Sequence, residues 1–357
     1  RYRDEMKKEI PELDAVVGIG SNGKICDIIR EILLDKQAVC SYGAKTELSM
    51  EGGRIISTEP FYAYIKIAEG CSNNCTYCAI PSIRGKYRSR RMEDIVKEAR
   101  WLAENGVTEL VVVAQDTTRY GEDIYGKSML PELLTALCEI DGFKWIRTLY
   151  CYPERITDEL LDVIAKEDKL VKYLDMPIQH CNKTILKRMN RHGDRETLTA
   201  LIKKIREKIP NVTLRTTLIT GFPGETEEQF EELCEFVKEI RFERLGCFAY
   251  SPEEGTPAEK FEDQVPLKDR ERRAEIIMEE QMIISDSLNE AALDSEVEVV
   301  CEGFDRYAEC YYGRSQADAP EIDGKIFFLS EDKVRVGEYV KVKIDDTMDY
   351  DLIGSKM

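Results

Sequence analysis

Residues 70–78 read GCSNNCTYC and follow closely on an apolar run at 61–67. Three thiolates on one short loop can bind three irons of a four-iron, four-sulfur (4Fe-4S) cluster. The fourth iron then has no protein ligand, and an open coordination position is what permits chemistry at a metal centre. The C-x3-C-x2-C spacing therefore predicts that Cys71, Cys75 and Cys78 bind a catalytic 4Fe-4S cluster.

Two other interpretations of these cysteines are a helix face of structural thiols and a zinc site that lacks one ligand. Gly70 and the pair Asn73-Asn74 disfavour a helix, because glycine and asparagine are poor helix formers. No fourth Cys or His follows at the spacing that zinc sites use. The sequence therefore favours the cluster.

The run at 61–67 is the first of six predicted strands that alternate with amphipathic helical patterns. The other strands are predicted at 109–114, 145–150, 173–176, 213–220 and 245–250, and the helices at 92–104, 130–139, 157–165, 194–208 and 226–240. Strands joined by helices in this way form a parallel sheet. Six such units in about 190 residues suit an open, partial (β/α)6 barrel better than a complete eight-unit barrel.

The two ends of the chain show other patterns. After a charged helix at 267–292, five strands are predicted at 297–301, 308–313, 325–329, 339–344 and 351–354. They suit a small antiparallel β-barrel of OB-fold size. At the other end, a helix near Met6, a strand at 15–19 and a helix at 24–33 are too few elements for a core of their own. The sequence predicts an α/β fold in three parts, at 1–58, 59–292 and 293–357.

The composition of the chain argues against some classes of function. The chain has 357 residues, of which 69 are acidic and 51 basic, so its formal net charge is −18. An acidic protein is repelled by phosphate backbones, which weighs against nucleic acid as the main partner. No apolar run approaches the ~18 residues of a membrane span, and no signal-peptide pattern opens the chain. We therefore expect a cytoplasmic protein without a membrane partner, in which clustered cysteines bind metal rather than form disulfides.

The cysteine spacing, with the aromatic Tyr77 before the third cysteine, resembles the signature of the radical S-adenosylmethionine superfamily. Members of that superfamily have a partial (β/α)6 barrel with a cluster in the loop after the first strand. The resemblance implies S-adenosylmethionine as cofactor, cleaved to a 5′-deoxyadenosyl radical by an electron that an external donor supplies. The residues expected to contact this cofactor are Tyr77, Gln115, Asp116, Gln179 and Arg215.

Two further stretches resemble the methylthiotransferases within that superfamily. One is IPSIRG at 80–85 followed by Ser89-Arg90, and the other is TGFPGET at 220–226. A glycine-rich turn between a strand and a helix lets backbone amides approach a ligand closely. Because the turn at 220–226 lacks the Gly-Lys-Ser/Thr ending of a P-loop, we expect it beside the cofactor's adenosine rather than around a triphosphate.

Four more stretches resemble the branch of the methylthiotransferases that modifies a ribosomal protein. They are LDMPIQH at 174–180, AQDTTRYG at 114–121, and DAPEIDG at 318–324 with YDLIG at 350–354, the last two being typical of that branch's TRAM domain. The resemblance implies that the intact enzyme converts an aspartyl residue of small-subunit ribosomal protein twelve to 3-methylthioaspartate. The residues expected to serve this substrate are Arg84, Asp175 and His180.

Two rival functions are a tRNA adenosine methylthiotransferase and an RNA-binding scaffold whose cluster is only structural. Sixteen acidic and eight basic residues follow from residue 294 on, and a module that binds RNA would be expected to be basic. The charge of this module argues against both rivals. Its residues Asp318, Glu321 and Asp323 are predicted instead to face a basic protein substrate.

Methylthiotransferases carry a second cluster on three cysteines of an N-terminal domain, the last of which lies a few residues before a Gln-Arg-Tyr run. This chain begins at Arg1-Tyr2, and Cys26 and Cys40 do not match the ligand positions. We therefore expect residues 1–58 to be the C-terminal remnant of that domain in a truncated chain. One cluster is expected here and a second in the full-length enzyme.

Overall fold

The computed structural model describes residues 2–35, 39–57 and 59–357, so Arg1 and the boundary predicted at residue 58 lie outside it. The helices of this part are α1 (Arg3–Glu9), α2 (Ile25–Asp35), α3 (Ile80–Arg84), α4 (Met92–Glu104), α5 (Glu122–Tyr125), α6 (Leu130–Cys138), α7 (Asp158–Lys166), α8 (Lys183–Arg188), α9 (Arg195–Lys208), α10 (Glu227–Ile240) and α11 (Leu267–Glu290). The strands are β1 (Ala15–Val17), β2 (Val39–Ser41), β3 (Tyr62–Lys66), β4 (Ala68–Glu69), β5 (Arg88–Ser89), β6 (Glu109–Val113), β7 (Trp145–Thr148), β8 (Tyr173–Asp175), β9 (Thr213–Thr220), β10 (Arg244–Ala249), β11 (Glu296–Asp305), β12 (Cys310–Arg314), β13 (Ile326–Leu329), β14 (Tyr339–Met348) and β15 (Asp351–Lys356). None of the described helices is long and apolar enough to cross a lipid bilayer.

Six parallel strands form the wall of an open barrel. Strands β3, β6 and β7 form one sheet in that order, and β8, β9 and β10 form a second. A parallel bridge between Ile146 and Leu170 joins the two sheets beside β7. The strands therefore follow one another around the wall in chain order, and the predicted partial (β/α)6 barrel is confirmed.

Alternate side chains of the wall strands pack into two different cores. Leu110 and Ile146 belong to the large cluster shared with the surrounding helices. Val111 and Trp145 belong to a smaller cluster inside the barrel. Because successive side chains of a strand point to opposite faces, the same alternation places a set of polar side chains inside the barrel. They are Glu109, Arg147, Asp175, Arg215 and Arg244.

Side-chain caps fix the starts of the helices that follow β8 and β9. The Asp194 side chain accepts a hydrogen bond from the backbone N–H of Thr197, and the Thr197 hydroxyl accepts one from the backbone N–H of Asp194. Thr226 and Gln229 form the same reciprocal pair at the start of α10. Such a capping box satisfies two backbone donors that a helix start leaves free. It therefore determines where the glycine-rich turn at 220–226 ends and α10 begins.

The five C-terminal strands form a closed barrel in the order β11-β12-β13-β15-β14. The predicted OB-sized barrel is confirmed, but one of its pairs, β13 with β15, is parallel rather than antiparallel. The reason is geometric: a closed ring with an odd number of strands cannot alternate in direction all the way round. At least one neighbouring pair must therefore run in the same direction, and β13 with β15 is that pair here.

The N-terminal region contains one strand that the sequence pattern did not reveal. Strand β2 pairs in parallel with β1, so the region has four described elements rather than three. It contacts the barrel through the stretch after the cysteines. Arg90 donates from Nε to Glu51 at 2.7 Å, and the Arg88 guanidinium donates to the Lys45 and Thr46 carbonyls at 2.9 and 3.0 Å.

Residues 314–324, here called the closing segment, pack against the amino-terminal ends of the wall strands. Arg314, 1% exposed, pairs with the fully buried Glu109 at the start of β6 and also donates to Glu302 at 2.6 Å. Glu109 in turn accepts from Nε of the buried Arg147 at 3.0 Å. Ala319 and Val300 join the apolar cluster inside the barrel. The C-terminal module thus closes the end of the barrel that lies opposite the cysteines.

The prediction that three acids of the module face a basic partner is wrong for Asp318 and Asp323, which are buried against the barrel, whereas Glu321 is exposed. Asp318 is 3% exposed and accepts from the Arg244 guanidinium at 2.6 Å. Asp323 accepts from the Tyr173 hydroxyl at 2.6 Å, and Glu321 accepts from the Tyr62 hydroxyl at 3.2 Å. The three partners, Tyr62, Tyr173 and Arg244, lie on the wall strands β3, β8 and β10. These charges therefore attach the module to the barrel.

We expect Glu109→Gln to lower the free energy of unfolding by about 3–5 kcal/mol, because it leaves two buried guanidiniums without the carboxylate between them. Glu298→Gln is the matched control, since Glu298 forms a partly exposed pair with Lys144 at 2.6 Å. That change is expected to cost about 1 kcal/mol or less. Denaturant unfolding of both variants measures the two values, and equal losses would contradict the role of the buried network.

Candidate active site

The cysteine loop, residues 70–78, lies at the carboxyl ends of the wall strands, directly after β3 and β4. It contacts the loops that follow three other strands: Asn73 donates to Asp116 after β6 at 2.8 Å, and the Cys75 sulfur lies 3.9 Å from the Tyr152 hydroxyl after β7. Tyr77 reaches the turn after β9. The loop therefore lies across the open end of the barrel.

Gly70 is required where the chain enters this loop. Its φ is +75°, a region that other residues adopt with strain, and a Cβ there would lie 2.4 Å from the Lys86 carbonyl oxygen. The close approach allows the Cys71 N–H to donate to the Gly85 carbonyl at 3.1 Å. The backbone of residues 85–86 thus supports the first cysteine.

Glu69 stabilises the start of the same loop through its charged carboxylate. Its carboxylate, 1% exposed, accepts from Arg84 Nε at 2.7 Å, from Lys66 at 3.0 Å and from the Gly70 N–H at 3.0 Å. Burial opposes ionisation of Glu69, but the hydrogen bonds from Arg84 and Lys66 outweigh it and lower its pKa to about 2. Arg84, predicted to serve the substrate, is thus placed beside the cysteine loop and paired with Glu69.

The far end of the loop is attached to the segment after α8. Thr76 donates from its N–H to the Met189 carbonyl at 3.0 Å and from its hydroxyl to the Arg188 carbonyl at 2.8 Å. The Asn190 amide donates to the carbonyls of Asn73 and Asn74 at 3.1 and 3.0 Å. These bonds fix the backbone on both sides of Cys75.

The environment of the three thiols suits iron-sulfur ligation. Burial raises the pKa of Cys71 and of Cys78, and the charge of Cys75 raises both further. Three adjacent thiolates would repel one another unless cations lay between them. No three His, Cys, Asp or Glu side chains of the described chain are placed to hold one metal ion. In a cubane each thiolate binds a different iron, which three thiols spread over one loop can satisfy.

Tyr77 joins the cysteine loop to the glycine-rich turn at 220–226. Its ring meets the Phe222 ring edge-on, with centroids 6.4 Å apart and planes at 83°. Within the turn, Gly221 has φ +67° and a Cβ there would lie 2.3 Å from Arg270, so this position also requires glycine. The two motifs that suggested a cofactor site therefore lie side by side.

Gln115 and Asp116 lie beside the loop as well. Asp116, 1% exposed, accepts from the Asn73 amide at 2.8 Å and from the Thr118 hydroxyl at 2.6 Å. The side-chain oxygen of Gln115 is buried and has no hydrogen-bond donor among the described residues. A buried acceptor without a donor is costly, so this oxygen is suited to accept from a bound ligand.

Asp175 and Arg215 form a pair inside the barrel, 3.0 Å apart. Burial raises the pKa of Asp175, and Arg215 opposes that rise. Asp175 also accepts from the Tyr150 N–H at 2.9 Å, and Arg215 extends to within 3.5 Å of Asp323 in the closing segment. Gln179, with φ +69°, bonds through its backbone to β9. Asp175 and Arg215 thus lie in the barrel interior, and Gln179 lies in the segment that follows β8.

His180 lies elsewhere, fully buried behind the glycine-rich turn. Its Nδ1 accepts from the Asn182 N–H at 2.9 Å, and its Nε2 is 3.5 Å from Glu225. Glu225 accepts from the Gly221 N–H at 2.9 Å and from Arg273 at 2.8 Å. The structure places His180 in the support of the turn, and its predicted contact with substrate stays a prediction.

Comparison with known proteins agrees with this geometry. The profile of the Radical SAM superfamily matches residues 65–237, and that of the TRAM domain matches residues 295–356. A protein of Clostridioides difficile named ribosomal protein uS12 methylthiotransferase RimO is 51% identical over 99% of this chain and 80% of its own length. The chain belongs to the RimO family.

Proteins of the same name in Caldanaerobacter subterraneus and Clostridium tetani are 50% and 48% identical, each over 99% of this chain, and over 80% and 79% of their own lengths. The predicted resemblance and enzyme class are thereby confirmed: the chain is a radical S-adenosylmethionine methylthiotransferase with a TRAM domain. Membership in this superfamily implies a 4Fe-4S cluster and S-adenosylmethionine.

Three residues that the structure places beside the cysteine loop or the glycine-rich turn were not singled out from the sequence, namely Tyr152, Arg191 and Glu225. Each lies in a βα loop away from the cysteine motif, and each reaches the site only through the fold. Arg191 follows two other basic residues, Lys187 and Arg188, yet of the three only Arg191 is buried, with 6% of it exposed. A sequence pattern alone does not separate a buried base from these.

We expect Glu69→Gln to lower the free energy of unfolding by about 1–3 kcal/mol near neutral pH, since it removes a buried charge-assisted contact. The pKa of Glu69 falls on folding from 4.5 to about 2. Its contribution is therefore complete above about pH 5 and is lost as the pH falls toward about 2. Urea unfolding at several pH values should show the gap to the wild type shrinking below about pH 4.5.

The exposed Glu12 provides the control, because Glu12→Gln removes a carboxylate without disturbing the cysteine loop. This variant is expected to follow the wild type at every pH. A gap between Glu69→Gln and the wild type that stays constant down to about pH 3 would contradict the ionised pairing of Glu69 and Arg84.

Proposed function

We propose that this chain belongs to an enzyme that replaces a β-carbon hydrogen of one aspartyl residue in ribosomal protein uS12 by a methylthio group. The observation that carries the proposal is the contact of the cysteine loop with the glycine-rich turn through Tyr77 and Phe222. It brings three thiols and the glycine-rich turn to the open end of one barrel. The identity of about half the residues with proteins named for that reaction supports the substrate.

In this proposal Cys71, Cys75 and Cys78 bind the cluster, which when bound supplies the electron that cleaves S-adenosylmethionine. Tyr77 and the turn at 220–226 enclose the adenosine side of the cofactor, and Gln115 supplies a buried acceptor. The remaining cofactor contacts are assigned to Asp116, Gln179 and Arg215. Because these side chains are buried or half-buried, they exclude water from the reacting atoms.

Substrate binding is assigned to Arg84, Asp175 and His180. Arg84 is partly exposed, with 28% of its side chain accessible, and lies beside the cysteine loop, where it can meet the carboxylate of an aspartyl residue. Asp175 is buried in the barrel interior and is held in place by Arg215. It is therefore suited to position a substrate side chain that enters the barrel. His180 acts in this proposal through the turn that it supports.

The proposal also includes the organisation of the protein. Residues 59–292 form the barrel, residues 293–357 the TRAM domain, and residues 1–58 part of an N-terminal domain. One cluster is assigned to this chain and an auxiliary cluster to the full-length enzyme. Cys26 and Cys40 are exposed and lie on α2 and β2. The reaction takes place in the cytoplasm with an external electron donor, and nucleic acid is not a main partner.

The function is tested by mass spectrometry of uS12 from cells with and without the full-length gene. We expect a methylthio group on one aspartyl residue only when the gene is present, and its loss in cells that carry Cys71→Ala, because a cluster with two thiolates exposes two irons. Methylthio-adenosine in tRNA that depends on the same gene, with uS12 unmodified, would assign the enzyme to the tRNA branch instead.

The cluster count is tested by iron analysis after anaerobic reconstitution of this chain. We expect about four irons per chain, as one 4Fe-4S cluster requires, and a loss of most iron in Cys71→Ala. The double variant Cys26→Ser with Cys40→Ser is the control and should bind as much iron as the wild type. About eight irons per chain would overturn the proposal of a single site.

A further inference from the structure

Arg191 is a buried cation directly behind the cysteine loop. The residue is 6% exposed, and its guanidinium donates to the Pro177 carbonyl at 2.8 Å. The segment that carries it is attached to the loop by the bond from the Thr76 N–H to the Met189 carbonyl. Arg191 is therefore held at a fixed place relative to Cys75.

Among the described residues no carboxylate forms an ion pair with Arg191 within 4.0 Å, although the charge of Glu154 acts on it from farther away. Its Nε is buried and makes no hydrogen bond there. Glu154 lies in the same region, but its carboxylate accepts from the His192 N–H at 3.0 Å. Burying a cation without an anion costs several kcal/mol. Such a position implies that an anion belongs beside it.

The groups that Arg191 does face lead to the sulfur of Cys75. The guanidinium lies 4.0 Å over the ring centre of Tyr152, and the Tyr152 hydroxyl lies 3.9 Å from the Cys75 sulfur. A phenol hydroxyl is a hydrogen-bond donor, so the Tyr152 hydroxyl can donate to this sulfur. A cation, a phenol and a thiol thus follow one another toward the cluster site.

We propose that Arg191 and Tyr152 raise the reduction potential of the cluster bound by Cys71, Cys75 and Cys78. This inference rests on the proposed function. Reduction adds one negative charge to the cluster, so a buried cation nearby stabilises the reduced form more than the oxidised form. A hydrogen bond to a ligand sulfur acts in the same direction, and both are known means of adjusting iron-sulfur potentials.

The test is a redox titration of the reconstituted chain, followed by the electron paramagnetic resonance signal of the reduced cluster. At a fixed solution potential, we expect Arg191→Gln to lower the ratio of reduced to oxidised cluster at least about tenfold, which is 59 mV for one electron. Tyr152→Phe should lower it several-fold, and Arg191→Lys less than Arg191→Gln. Arg195→Gln is the control, because Arg195 pairs with Glu235 and Glu239 on the outer face of α9.

Each outcome decides between distinct explanations. A wild-type chain that takes up no cluster contradicts the proposed function, whereas loaded variants with an unchanged ratio contradict this inference alone. An unchanged ratio with weaker binding of S-adenosylmethionine to Arg191→Gln would assign the cation to the cofactor's carboxylate and overturn the inference. If Arg191→Gln fails to load, Tyr152→Phe decides: a lowered ratio supports the inference, and a wild-type ratio overturns it.

Discussion

Three thiols must meet on a loop of nine residues that has no helix or strand of its own. Ordering such a backbone costs roughly 1–2 kcal/mol per residue. The contacts that offset this cost come from outside the loop: Glu69 with Arg84 at its entrance, and the bonds from Thr76 and Asn190 to the segment after α8. The rest of the barrel can be understood as the frame that keeps these two anchors at a fixed separation.

At the opposite end of the barrel, buried ion pairs hold the C-terminal module in place. The closing segment at 314–324 contributes Arg314, which pairs with Glu109, and Asp318, which pairs with Arg244. Charged side chains inside the barrel are therefore neutralised by the C-terminal module. Asp323 continues this pairing to Arg215, which meets Asp175 beneath the cysteine loop. The acidity of the module suggested a basic partner, but Asp318 and Asp323 pair instead with arginines of the barrel. The position of the module also affects Arg215, a predicted cofactor contact, because Asp323 lies 3.5 Å from it.

Much of this architecture could be predicted from the sequence because it depends on local patterns. The cysteine spacing, the alternation of strands and helices, and the limits of α4 and β9 are all encoded within short windows. Contacts over long separations could not be predicted. The burial of Asp318 depends on Arg244, 74 residues away, and that of Arg191 on loops after two other strands. A charged residue type in the sequence is therefore a poor guide to whether that residue is buried.

The central claim is that three cysteines of one loop bind a 4Fe-4S cluster in which one iron lacks a protein ligand. Mössbauer spectroscopy of the chain reconstituted with isotopically enriched iron tests it most directly, with and without S-adenosylmethionine. The account predicts that one iron in four changes its spectrum when S-adenosylmethionine is added, while the other three do not. Four irons that respond alike, or no response at all from a fully loaded cluster, would contradict it.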